Sequence, residues 1–405
     1  MVERPEPIRS TGEPSRDQLR RARWAVTVHF VVTGAALATW TSRIPAIKRD
    51  LGLDAAGVTL ALLAVAGGSV LAMQVVGHLT DRFGSARVMV PGGVGVSLSL
   101  LVPGFANSLP LLVFGLFLFG AGHGATDVSM NTQAVALNRR CSRPILSTFH
   151  AMFSVGGLLG SGAGALAAQV GLGAGANFAV VAAVLASLVL LARPALLPPE
   201  PAARSAEPAG PAAGSTGRRG IPLTILFLGV LGFACSLGEG SMADWSPLYL
   251  HDELGASPSL AATGYGVFSA CMGLFRFFGD RLVVHFGPER LVRGCGLLAG
   301  LGLGGALLLH HPAAGIVGFA LFGCGLSCIV PQIFNAAGNR EPERSGRDLA
   351  QVSTLSYGGL LAGPVLIGLT AQSIGLTAGL AIPAVLALLL AVSAGAVRQP
   401  STSAA

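Results

Sequence analysis

Long apolar runs alternate with short polar breaks along almost the whole chain. Runs of about 18–25 residues match the thickness of a bilayer. Twelve are predicted, at 24–42, 56–76, 88–106, 110–137, 145–168, 176–193, 222–243, 259–279, 291–309, 313–335, 350–372 and 376–396. Each has to be a helix, because backbone groups in hydrocarbon must be satisfied within their own segment. The expected fold class is an all-α polytopic membrane protein. One polar break is far longer than the others: RPALLPPEPAARSAEPAGPAAGSTGRRG, residues 193–220. Its Pro, Ala, Ser and Gly content reads as a flexible linker. The predicted units are a tail (1–23), a six-helix bundle (24–193), the linker (194–221), a second six-helix bundle (222–396) and a tail (397–405).

Composition removes the soluble alternatives. Only 11% of the 405 residues are charged and 52% are hydrophobic, against about 25% charged in an ordinary soluble domain. The 57 glycines suit helices that pack closely in lipid. Residues 1–23 are polar and the first apolar run is long enough to span, so the N-terminus reads as a cytoplasmic tail and not as a cleavable signal.

Orientation follows from Arg and Lys. With the N-terminus inside, the inner segments hold 23 basic residues, Arg276, Arg281, Arg290 and Arg293 among them; the outer ones hold three, Arg43, Lys48 and Arg49. This bias predicts both termini in the cytoplasm, in a plasma membrane expected to be bacterial. Topology also accounts for the net charge of +7, and no nucleic-acid partner is expected. The six Cys show no paired CxxC spacing, so neither a metal site nor a cofactor is predicted. No nucleophile–base spacing appears in the spans, which argues against an enzyme.

The halves repeat at an offset of about 203. RDLGLDAAG (49–57) lies over DELGASPSL (252–260), FGSARV (83–88) over FGPERL (286–291), and SVGGLLGSG (154–162) over SYGGLLAGP (356–364), one residue out of step. Two duplicated bundles predict a transporter with its site between them. The loop GHLTDRFGSAR then resembles the G-x-L-x-D-R-x-G-x-x-R signature of the major facilitator superfamily, through Gly77, Leu79, Asp81, Arg82, Gly84 and Arg87. The second half carries a degenerate copy, with Asp280 and Arg281 one turn early and Arg290 further on. WTSRIPAIKRDLGL, DVSMNTQAVAL, SRPILSTFHAMFSVGGLLG and GEGSMADWSPLYLHDELG are similar to the MosC-like membrane proteins related to fucose permease-type carriers. The resemblance implies two pseudo-symmetric six-helix bundles, and signature loops that lock the cytoplasmic side. For Arg87 a plain topology anchor is the competing reading.

Nearly all 19 acids fall in tails or loops; Asp127 in the fourth span and Glu239 in the seventh do not. A charge at mid-span costs roughly 2.5–3.5 kcal/mol, so each needs a use or a partner. His29, His123 and His150 also lie inside spans. In the resembled fold, helices one, four, seven and ten line the cavity, which places Asp127, His123, Glu239 and His29 on cavity helices. His123, Asp127 and Asn131 share one helical face. They read as a titrating pair with a polar neighbour, as an interhelical bond, or as part of an inner gate.

Glu239, between Gly238 and Gly240, reads as a central or outer-gate residue, and His150 as a polar contact with Ser147 and Ser154 on its face. Asn131, Gln133, Gln332, Asn335 and Gln351 form an uncharged set suited to a sugar, polyol or similar solute. Tyr265 and Tyr357 are placed to line a cavity; Trp24, Trp40 and Trp245 read as interfacial anchors. The expectation is a monomeric, proton-coupled carrier of a small polar solute, with efflux of a drug or metabolite as the alternative.

Overall fold

The computed structural model describes residues 14–197, 221–261 and 263–398. Most of the predicted linker and tails lie outside these residues. Twelve long helices run in chain order: α1 Arg16–Asp50, α2 Ala55–Phe83, α3 Ser85–Gly104, α4 Leu109–Arg140, α5 Leu146–Gln169, α6 Ala174–Ala195, α7 Leu223–Glu253, α8 Gly264–Phe286, α9 Pro288–Leu309, α10 Pro312–Arg340, α11 Pro342–Ile374 and α12 Leu376–Val397. Eleven are long and apolar enough to cross a membrane. The twelfth, α8, carries Arg276, Asp280 and Arg281 within its length.

Local chemistry sets the ends. Ser15 and Gln18 close a capping box at the start of α1, satisfying two otherwise orphaned N–H groups. Asp54 accepts from Gly57 at the start of α2. Gly84 (φ 86°) and Gly287 (φ 75°) end α2 and α8 in a backbone region that a side chain would strain. Their separation of 203 is the sequence repeat seen as geometry.

The same repeat recurs in the helix contacts. A Cβ on Gly156 of α5 would lie 2.1 Å from the Val31 carbonyl oxygen of α1, and one on Gly359 of α11 would lie 2.1 Å from that of Phe233 of α7. Gly120 of α4 meets the Val65 carbonyl of α2 in the same way, and Gly323 of α10 meets that of Phe268 of α8. Missing side chains therefore set the helix separations in both bundles. Large side chains such as Leu158, Val170, Leu223 and Leu308 cover the outside, as lipid contact requires.

Some boundaries differ from expectation. α1 starts eight residues before position 24 and continues eight beyond position 42. Arg43, expected in an outer loop, is instead 5% exposed and donates to the carbonyls of Gly164 (3.4 Å) and Leu172 (2.6 Å) at the end of α5. Carbonyls at a helix C-terminus attract a cation. Arg43→Met should therefore lower stability by about 1–3 kcal/mol, read as an earlier melting transition in detergent.

Trp40 is buried, not interfacial. Span eight starts later than predicted, after a separate turn at Pro258–Ala261, and it ends seven residues later. This draws Arg276 well into the bundle, so it is not one of the inner-loop charges.

All inter-bundle hydrogen bonds between described residues lie on one side of the molecule. They run from the face that carries Arg82, Arg140, Arg290 and Arg340, here the basic face, to the middle of the helices. The deepest are Arg276 to Ser154 and Tyr357 with His123. Beyond that level the side chains of Glu239 and Tyr265 are each 38% exposed. The bundles are thus closed at the basic face and open towards the other.

Candidate functional site

Two carboxylates close the basic face. Asp81, near the end of α2, accepts from the backbone N–H of Gly346 (2.7 Å) and of Arg347 (3.3 Å), and from Arg347 Nε (2.7 Å). Asp280, near the end of α8, accepts from the N–H of Ser147 (2.9 Å) and Thr148 (2.8 Å) and from the Thr148 hydroxyl. Each carboxylate sits on the first turn of a helix in the opposite bundle, where free N–H groups and the helix dipole favour negative charge.

The two locks are related by 199 positions at both ends, Asp81 to Asp280 and Gly346 to Ser147. The second copy is thus displaced in sequence but complete in geometry. Gly77 and Gly346 allow α2 and α11 to approach: a Cβ on Gly77 would lie 2.8 Å from that of Ala350, and one on Gly346 would lie 2.7 Å from Asp81 Oδ1.

The arginines of the signature loops stay outside these locks. Arg82 lies 5.2 Å from the Phe83 ring centroid, and Arg82, Arg87, Arg281 and Arg290 are exposed. The guanidinium in the lock is that of Arg347. Nearby, Asn138 donates to Asn335 (3.1 Å), and Arg139 donates to the Gly338 carbonyl (3.4 Å). A cavity of about 160 Å³ opens here, with Asn138, Arg143, Asp280, Gln332 and Asn335 among its lining beside Leu146 and Val283. Gln332 and Asn335 therefore belong to the closed basic side.

Above the Asp81 lock runs a polar seam between α2, α4 and α11. Gln74 donates to Thr354 Oγ1 (2.7 Å) and accepts from Gln351 (2.9 Å). Ser353 donates to Asp127 (3.0 Å), and Asn131 donates to the same carboxylate (3.2 Å). His123 Nδ1 pairs with Tyr357 Oη (2.9 Å). The expected His123–Asp127 pair is absent: each turns to a partner on α11 in the other bundle. Asp127, His123 and Tyr357 thus form an inter-bundle seam rather than an open cavity wall.

Two further candidates serve their own bundle. His29 Nδ1 donates to the Ala25 carbonyl (2.8 Å), and the ring packs at the contact of α1, α3 and α6, away from the centre. Gln133 accepts from Ser85 and donates to the Leu197 carbonyl (3.5 Å). His29 Nδ1 and the Gln133 amide find their partners close to home, which spacing along one helix does not reveal.

The centre holds the other candidates. Glu239 of α7 lies 4.0 Å from Arg276 Nη2 of α8. Arg276 Nη1 donates to Ser154 of α5 across the bundle interface (3.0 Å). The His150 ring lies between Phe30 (5.3 Å) and Phe334 (5.8 Å), one from each bundle. Tyr265 packs on Phe268. Sequence reading missed Arg276, Arg347 and Ser353. Arg276 had a weak signal: it lies three positions inside the end of the predicted span 259–279.

The comparisons with known proteins agree with this architecture. The family model described as Major Facilitator Superfamily matches residues 25–355 and 246–404. The chain belongs to the major facilitator superfamily. An uncharacterized MFS-type transporter of Yersinia pestis is 37% identical over 91% of this chain and 94% of its own. The membrane protein MosC of Rhizobium meliloti is 30% identical over 87% of this chain and 84% of its own. Among solved structures, the E. coli fucose:proton symporter FucP aligns with a TM-score of 0.77 at 15% identity, over 95% of this chain and all of that one. The chain is thus a multi-pass membrane protein with the superfamily's transporter fold.

Proposed function

We propose that the protein is a secondary active transporter that moves a small polar solute by alternating access, coupled to protons. Its place is a bacterial plasma membrane, with the basic face and both termini in the cytoplasm. The observation that carries this reading is the Glu239–Arg276 pair. It sits at mid-helix, where the inter-bundle bonds end, and a 38% exposed carboxylate there opens to the space between the bundles. An intramembrane acid at such a place supports a proton or substrate site. The two pseudo-symmetric locks support rocking of one bundle against the other. The fucose:proton symporter named above supports the direction of coupling by analogy of fold alone.

Asp127 is given a different part. Its bonds to Ser353 and Asn131 suit a latch that breaks when the basic face opens. A thermal-shift screen of sugars, polyols and their derivatives identifies the solute, since a ligand of the folded state raises its melting temperature. In proteoliposomes an inward proton gradient should then drive accumulation. Glu239→Gln should lower that accumulation by roughly tenfold or more while gradient-free counterflow persists. Asp127→Asn keeps an acceptor for Ser353 and should cost less. Accumulation that ignores the gradient, with both variants fully active, would remove the coupling from this reading.

A further inference from the structure

The central Arg276 is poorly satisfied for a buried cation. It is 8% exposed, and a guanidinium offers five N–H donors. Nη1 reaches Ser154 Oγ at 3.0 Å, Nη2 reaches only the weak acceptor Met272 Sδ at 3.6 Å, and Nε has no partner. Glu239 does not fill the gap, because 4.0 Å is outside hydrogen-bond range. A purely structural arginine at this depth would have its fork occupied, since unfilled buried donors are costly. His150 repeats the pattern: its Nε2 is buried without a partner beside the same guanidinium. Phe30 and Phe334 flank that ring, one from each bundle.

We infer that this centre takes a hydroxylated monocarboxylate, its carboxylate on Arg276 and a hydroxyl on His150, together with one proton on Glu239. The inference rests on the transport reading above and narrows its solute. The geometry favours a planar two-oxygen anion, which matches the arginine fork bidentately. Charge then fixes the coupling. The empty Arg276–Glu239 pair is neutral. A bound carboxylate leaves one net negative charge away from water, and a proton on Glu239 restores neutrality. A neutral polyol makes no such demand.

The other titratable groups around Glu239 are Tyr265 from α8 and Cys235 on its own helix. Arg276 additionally faces His150 of α5 and Cys328 of α10, and Asp244 faces Tyr265. The carboxylate of Glu239 is therefore the acid in direct reach of the guanidinium.

The test uses the full chain in lipid nanodiscs and reads melting temperature with gluconate, glucuronate, lactate, glucose and sorbitol at pH 5.5 and pH 8. The hydroxylated carboxylates should stabilise the protein at pH 5.5 and bind roughly tenfold or more weakly at pH 8. Glucose and sorbitol should show no pH-dependent shift. Arg276→Gln should abolish the carboxylate effect. Glu239→Gln should keep it and remove its pH dependence, a readout that mere loss of folding cannot imitate. Arg276→Lys, which keeps the charge without the fork, should bind more weakly than the parent.

Stabilisation by glucose or sorbitol with the carboxylates silent overturns the inference. So does an unchanged carboxylate effect in Arg276→Gln, or no shift with any compound. Counterflow of labelled solute separates the two readings. A carboxylate that binds as described but is not moved contradicts transport alone; a neutral polyol that is moved contradicts this inference alone.

Discussion

Replacing Asp81 by alanine should open the basic face. Asp81 accepts two backbone N–H bonds and the Arg347 guanidinium, all from the opposite bundle. Charge-assisted bonds of this kind contribute about 1.5–3 kcal/mol each, and loss of one partner from such a pair costs about 3 kcal/mol. A bias of about 3 kcal/mol corresponds to roughly a hundredfold change in the ratio of closed to open states. Asp280→Ala should act in the same direction through Ser147 and Thr148, and the double variant should exceed either single one.

The readout is alkylation of a cysteine at position 332 in a background without the native cysteines. Gln332 is 3% exposed beneath the lock in the closed state. Its reaction with a membrane-impermeant maleimide should accelerate up to about a hundredfold in Asp81→Ala, until the open state dominates. Asp81→Glu, which keeps the charge on a longer arm, should lie between. An unchanged rate in the double variant would mean that these carboxylates cap helices without holding the bundles together.

The second large effect is on folding. Leucine at Gly359 puts a Cβ 2.1 Å from the Phe233 carbonyl oxygen, and leucine at Gly156 puts one 2.1 Å from that of Val31. Ordinary contact requires well over 3 Å, and backbone on the facing helix cannot turn aside as a side chain can. α7 and α11, or α1 and α5, would have to move apart and lose packing over several turns. Overpacking of this kind costs about 3 kcal/mol or more, a large share of a typical total stability of about 5–15 kcal/mol. Folded, monodisperse protein should fall steeply for both variants. Gly157→Leu, where an added Cβ meets nothing, should behave like the parent. Equal behaviour of all three variants on size-exclusion chromatography would contradict the packing account.

Span number and the duplication were legible in the sequence, because hydrocarbon thickness and repeated motifs write themselves into one dimension. The positions of the locks were half legible. Asp81 stood out in its signature loop, whereas Arg347 and Thr148 are nearly 270 and just over 130 residues from the carboxylates they meet. No spacing rule announces such a pair.

Helix face alone misled for two histidines. His29 lies on a helix expected to line the cavity but turns to its own bundle, and His123 passes over Asp127 for Tyr357. Arg276 was hidden for a different reason. A basic residue near a predicted helix end reads as an inner-loop charge, and only the true end of α8 at Phe286 places it deep among helices.

The central claim is that the two faces open in turn about the Glu239–Arg276 level. Pulsed electron–electron resonance on the cysteine-free protein tests it, with spin labels at exposed positions. One pair, Arg87 and Arg290, spans the basic face; another, Thr41 and Asp252, spans the opposite face. Alternating access predicts that Asp81→Ala lengthens the basic-face distances and shortens the opposite-face distances in the same samples. Lengthening on the basic face with the opposite-face distribution unchanged would contradict the account.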